Sequence, residues 1–238
     1  MELTAAVLDA VREDDAARLA TMLRERPSLV RAADQHAKTA LHWAAQLDRV
    51  EVAEILIQAG ADLEARTAWG ASAFDWAATM GSTRVAELLL AKGATGLSLI
   101  TAAALGRHQA VRNFVEAGAD LSLHRRRDAP PIPDDHWPAE SAHARGDVLS
   151  DALYAAARNG HREVAEYLLD QGADVNARGV FGATALQWAA FNGHAGVVEL
   201  LLARGADPHL RDSRFDADAA GWAHEGGHGN IVAVLRAG

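Results

Sequence analysis

Apolar positions recur along this chain in paired short runs. The stretch from Phe181 to Asp207 shows the pattern best: F-G-A-T-A-L-Q-W-A-A-F-N-G-H-A-G-V-V-E-L-L-L-A-R-G-A-D. It reads as a turn, a short apolar helix, a Gly-His break, a second apolar helix and a Gly-Ala-Asp stop. One such unit exposes an apolar face that only a neighbouring copy can cover. Copies exist. The second helix ends as A-E-I-L-I-Q-A-G-A-D from Ala53, A-E-L-L-L-A-K-G-A-T from Ala86, V-R-N-F-V-E-A-G-A-D from Val111, A-E-Y-L-L-D-Q-G-A-D from Ala165 and V-E-L-L-L-A-R-G-A-D from Val198.

The glycines of these endings are Gly60, Gly93, Gly118, Gly172 and Gly205, and Gly238 follows, at steps of 33, 25, 54, 33 and 33 residues. Three of the five steps match one repeat period. With T-A-L-H-W-A-A (Thr39 to Ala45) and T-A-L-Q-W-A-A (Thr184 to Ala190), the chain resembles the ankyrin-repeat family over nearly its full length. The resemblance implies an all-α fold: an ankyrin-repeat solenoid of helix-turn-helix units with short β-hairpin loops. About six units are expected, two of them degenerate caps.

Residues 1–35 read as an N-terminal cap unit. Leu3, Val7, Leu8 and Val11 fall at helical spacing, and Asp14 or Asp15 is placed to cap a second helix carrying Leu19 and Leu23. Residues 36–123 hold repeats whose inner helices are capped by Thr39 and Ser72. Alanine (Ala40, Ala73 and also Ala185) stands where the family usually has proline. The 25-residue step removes the hairpin before the helix at Leu99 to Ala104. The 54-residue step adds a segment, 124–147, with four of the six prolines (Pro130, Pro131, Pro133, Pro138). That density forbids a regular helix or interior strand there. Residues 148–238 return to repeats, ending in a cap with Asp218 at the helix start.

Composition narrows the function. The net charge is −9 and disfavours a basic nucleic-acid surface. Cysteine is absent, which removes disulfides and thiolate metal sites. Apolar runs are shorter than a membrane span, and the N-terminus lacks the pattern of a secretory signal. The expectation is a cytoplasmic protein with no nucleic-acid or membrane partner, no cofactor and no metal.

The family resemblance implies that hairpin tips and inner-helix ends line one concave edge. On this sequence that picks out the hairpin residues His36, Trp69, Phe181 and Phe215, with Met80, Leu105, Arg158 and Phe191 at the inner-helix ends. Trp43, Trp76, Trp188 and Trp222 share an inner-helix position and read as packing between neighbours. His161, His194 and His228 follow a glycine at the helix-to-helix turns, where the family uses histidine to tie the turn. Within the insertion, Asp134, Asp135, His136 and Trp137 are consecutive. These groups suit divalent-metal or acid–base chemistry, but no H-E-x-x-H, P-loop or G-x-S-x-G motif supports either.

Two functions stay open on these grounds. One is an interaction module that docks a protein or peptide in the groove, with the insertion adding specificity. Its binding residues would be Trp69, Met80, Leu105, Asp135, His136, Trp137, Arg158, Phe181, Phe191 and Phe215. The alternative is a small-molecule binder or enzyme whose pocket the 124–147 segment closes, with Asp135 and His136 as the reacting groups.

Overall fold

The computed structural model describes residues 2–68, 70–117 and 147–237. It divides into two compact units, which meet in sequence between Gly96 and Leu97.

The first unit holds three helix pairs. They are α1 (Glu2–Arg12) with α2 (Ala16–Glu25), α3 (Ala40–Gln46) with α4 (Val50–Gln58), and α5 (Ala73–Met80) with α6 (Thr83–Ala91). A 3-10 turn, Pro27–Arg31, follows α2. Helices α2, α3 and α5 start where a side chain takes up orphan backbone N–H groups. Thr39 and His42 form a reciprocal box at the start of α3, as Ser72 and Asp75 do for α5. Asp15 caps α2. The apolar positions then face neighbours: α3 packs between α1 and α5, and α4 between α2 and α6. Leu41, Leu56, Phe74 and Leu89 are fully buried there. His42 does a second job, since its Nε2 lies 3.1 Å from the carbonyl of Ala71 in the next hairpin. Burial holds the His42 imidazole below its usual pKa, which suits a neutral ring bonded on both nitrogens.

Hairpins begin each repeat with short β-bridges, Ala33 to Thr39 and Arg66 to Ser72 in this unit. The backbone turns through the left-handed region at Ala37 (φ 56°) and at Gly70 (φ 79°). Glycine adopts that conformation freely, whereas a Cβ there costs about 1–2 kcal/mol. Ala37→Gly should therefore stabilise the protein by roughly 0.5 kcal/mol, once glycine's greater loss of freedom on folding is deducted. A urea titration would read the gain as a higher midpoint, and a lower one would refute it.

The second unit holds four helix pairs. They are α7 (Leu99–Ala104) with α8 (His108–Glu116), α9 (Val148–Arg158) with α10 (Arg162–Asp170), α11 (Ala185–Phe191) with α12 (Ala195–Ala203), and α13 (Ala219–Glu225) with α14 (Gly229–Ala237). The inner helices pack in the order α7, α9, α11, α13, so α9 lies directly on α7. The described residues thus hold seven helix pairs, one more than the six or so the sequence suggested. The N-terminal pair, expected as a cap unit, ends in Arg26-Pro27 rather than Gly-Ala-Asp.

Residues 97 and 98 run straight into α7, and among the described residues no β-bridge precedes it. This is the hairpin deletion that the short step implies. Helix α9 begins at Val148, directly after the 124–147 segment. Asp147 caps it by accepting from the Ser150 N–H at 3.1 Å, and no glycine or proline interrupts 148–158. The turn histidines tie successive repeats. His161 Nε2 lies 2.9 Å from the Ala104 carbonyl, and His194 Nε2 lies 3.0 Å from the Arg158 carbonyl. Gly160 (φ 80°) makes room for this, since a Cβ there would meet the His194 ring at 2.7 Å.

Candidate functional site

The inner helices of the second unit carry one connected group of rings. Trp188 on α11 and Trp222 on α13 meet edge to face, 4.9 Å between centroids. Phe191 closes on both, at 6.0 and 5.8 Å. Tyr154 on α9 meets Trp188 at 6.0 Å. On the hairpin side, Phe215 reaches Trp222 at 6.0 Å and Phe181 at 6.1 Å. All are tilted contacts, the arrangement ring quadrupoles favour. Trp188 and Trp222 are buried, which agrees with their reading as packing between neighbours. Phe181 and Phe191 are half-buried, and Phe215 is 61% exposed.

Two local devices hold the hairpin rings out. Phe181 has φ 60°, a left-handed conformation that bulky residues rarely take. Its carbonyl accepts from both the N–H and the hydroxyl of Ser213, at 3.0 and 2.8 Å, which binds its hairpin to the next. In that next hairpin the buried Asp212 carboxylate gathers four donors: the N–H groups of Arg214, Phe215 and Ala217, and the Trp222 indole N–H. Asp212 thereby fixes the loop that displays Arg214 and Phe215. Its role was not singled out from sequence. The signal available was an acidic residue opening a hairpin one residue longer than the others.

Positive charge lies on these rings. The Arg158 guanidinium stands 4.1 Å from the Trp188 centroid, and that of Arg214 stands 4.7 Å from Phe181 and 5.7 Å from Phe215. Not every polar atom beneath them is satisfied. The Trp188 indole N–H is buried with no hydrogen-bond partner among the described residues, a cost the aromatic packing has to cover. Burial also pushes the Tyr154 phenol well above its ordinary pKa, so it stays protonated. Its ring lies against Gly179, where a Cβ would meet it at 2.6 Å.

The first unit repeats the chemistry with other residues. Lys38 Nζ stands 3.7 Å from the Trp43 centroid and 4.3 Å from that of Trp76, and it donates to Gln46 Oε1. Arg12 lies over Trp43 as well, at 4.3 Å. Neither Lys38 nor Arg12 stood out in the sequence.

Of the expected binding residues, Phe181, Phe191, Phe215 and Arg158 come together in this one group. Leu105 ends α7 in the same unit, and Met80 ends α5 in the first; both are half-buried. Trp69, Asp135, His136 and Trp137 lie outside the described residues, as does nearly all of the 124–147 segment expected to close a pocket. A shallow hollow of about 110 Å³ lies between α12 and α14, lined by Val198, Glu199, Ile231 and Val234. It is formed by outer helices and includes none of the expected residues.

A family model of ankyrin repeats, in three copies, matches residues 8–96 and 136–212, well over half of the chain. This chain belongs to the ankyrin-repeat family. No curated protein matches it in sequence. Among solved structures, it is similar to the crystal structure of the human ASB11 ankyrin repeat domain. The two are 20% identical, with 96% of each chain covered and a TM-score of 0.46. Ankyrin repeats serve in general as protein-interaction modules. Among the described residues no helix is long and apolar enough to cross a membrane.

Proposed function

We propose that this protein docks a protein or peptide partner on the inner-helix face of its second unit, with Phe181 and Phe215 as anchors. The observation that carries the reading is Phe215. A large apolar side chain is 61% exposed on a loop that Asp212 holds still. Phe181, in a strained backbone conformation, and an arginine lie beside it. Aromatic residues and arginine supply most anchors at interfaces, and a rigid loop lowers the ordering cost of binding. Phe191 and Arg158 extend the face along α11 and α9.

The test is direct. Peptides selected on the full chain from a random displayed library are resynthesised and titrated by fluorescence anisotropy. The double variant Phe181→Ala with Phe215→Ala should weaken them at least tenfold, since each anchor is worth over about 1 kcal/mol. Helicity by circular dichroism should stay unchanged. Undiminished affinity in the double variant would move the docking site elsewhere.

A further inference from the structure

Among the described residues, several ring faces beside the hairpins already carry a cation of the protein's own. Lys38 lies on Trp43 and Trp76, Arg158 on Trp188 and Arg214 on Phe181. A ring face draws a cation through its quadrupole. The faces that would recognise an ammonium group on a partner are therefore taken from within. What a stacked guanidinium turns to a partner is its planar edge of N–H donors, with no acceptor. That edge matches a carboxylate, which accepts two parallel N–H bonds in one plane.

Cations recur on these rings although the whole chain carries −9. At the exposed tip, Arg211 pairs with Asp216 at 3.4 Å. Arg214 is exposed and forms no salt bridge among the described residues.

We propose that the partner segment seated on the second unit is an acidic peptide. An Asp or Glu side chain sits on Arg214, and an adjoining apolar side chain sits against Phe181 and Phe215. The inference rests on the docking role proposed above and adds the chemistry of the occupant. A carboxylate fits better than a phosphate. Phosphate readers gather several arginines around a doubly charged group, whereas the tip offers Arg214 beside two apolar rings.

The test uses the full chain, a random twelve-residue peptide library on phage, and fluorescent copies of the peptides recovered. Those peptides should carry Asp or Glu next to Leu, Ile, Met or Phe. Changing the acidic residue to its amide should weaken binding about tenfold, and so should Arg214→Gln in the protein. The two losses should not add when combined, because they remove the same contact. Arg214 is exposed, so its variant should keep the parent melting temperature. Phosphoserine in place of the acidic residue should bind no more tightly, and a tenfold gain would assign the site to phosphate and overturn the proposal. Peptides with no acidic bias, lost on Phe181→Ala with Phe215→Ala but indifferent to Arg214→Gln, would overturn the acidic occupant and leave the docking face standing. Failure to recover any peptide sensitive to these three positions would overturn both.

Discussion

Replacing Asp212 by alanine should cost about 3 kcal/mol of stability and release the loop that carries Phe215. The residue is 3% exposed. One carboxylate oxygen accepts from the N–H groups of Arg214 at 2.8 Å and Phe215 at 2.6 Å. The other accepts from the Ala217 N–H at 3.0 Å and Trp222 Nε1 at 2.9 Å. Each donor stranded away from water costs about 1–3 kcal/mol. The donors of the exposed Arg214 and Phe215 can rehydrate, so the Trp222 and Ala217 donors dominate the sum. Asn at this position keeps the shape but turns an amide N–H₂ toward donors, and should lose somewhat less. Proton linkage supplies a second readout. Burial pushes the Asp212 carboxyl up, but the hydrogen bonds together push it further down, leaving its pKa below the ordinary value. A carboxyl depressed on folding stabilises the protein fully above its unfolded pKa of about 3.9 and stops doing so as pH falls through the folded value. The cost of Asp212→Asn, read by urea denaturation, should therefore be largest at neutral pH and shrink below about pH 4. An alanine variant within 1 kcal/mol of the parent would refute the assignment. So would a cost that does not change with pH.

Much of this architecture was legible in the chain, because repetition multiplies weak signals. Thr39 and Ser72 cap their helices as expected, Thr184 does the same, and Ala40, Ala73 and Ala185 are the first helical residues. The turn histidines at 161 and 194 bind the preceding repeat. At the site, the ring residues were readable as a set because they recur at fixed offsets. What holds and charges those rings was not readable, since the residues that do so sit at different positions from repeat to repeat. Asp212 gathers four donors, whereas Asp34 at the same place in the first hairpin takes the N–H groups of His36 and Lys38. Tyr154 lies 33 residues before Gln187, which joins its own capping Thr184 to the next hairpin through bonds to the Leu210 and Ala217 carbonyls. At that place on α9, Tyr154 instead sets its ring against Gly179. Lys38 sits just before the capping Thr39. The matching positions before Ser72, Thr184 and Asp218 are Ala71, Ala183 and Ala217. A lysine among alanines looks like a surface exchange until the structure shows it 5% exposed.

Stability should rise as pH climbs from about 8 to about 10.5, and Lys38→Met should remove that rise. The Lys38 ammonium lies between two indole faces and donates to Gln46. Burial is the largest influence on it, with Asp34 opposing and Arg12 adding, and together they lower its pKa from 10.5 to about 8. A lysine depressed on folding behaves oppositely to one that gains a partner. Below pH 8 it is charged in both states, and folding bears the desolvation cost in full. Between 8 and 10.5 the unfolded chain binds the extra proton, so the folded state gains with each step in pH. The full displacement corresponds to about 3 kcal/mol. The indole faces favour the ammonium by roughly 0.5–2 kcal/mol, which leaves a gain of about 1–3 kcal/mol across the window. Methionine fills the same slot without charge, as replacements of buried ions by apolar residues often do at no loss. The variant should equal or exceed the parent at pH 7 and lie flat above pH 8. Chemical denaturation of both proteins at pH 7, 8.5 and 10 decides it. A parent protein that loses stability over this range relative to the methionine variant would show that the indole faces, and not burial, govern Lys38.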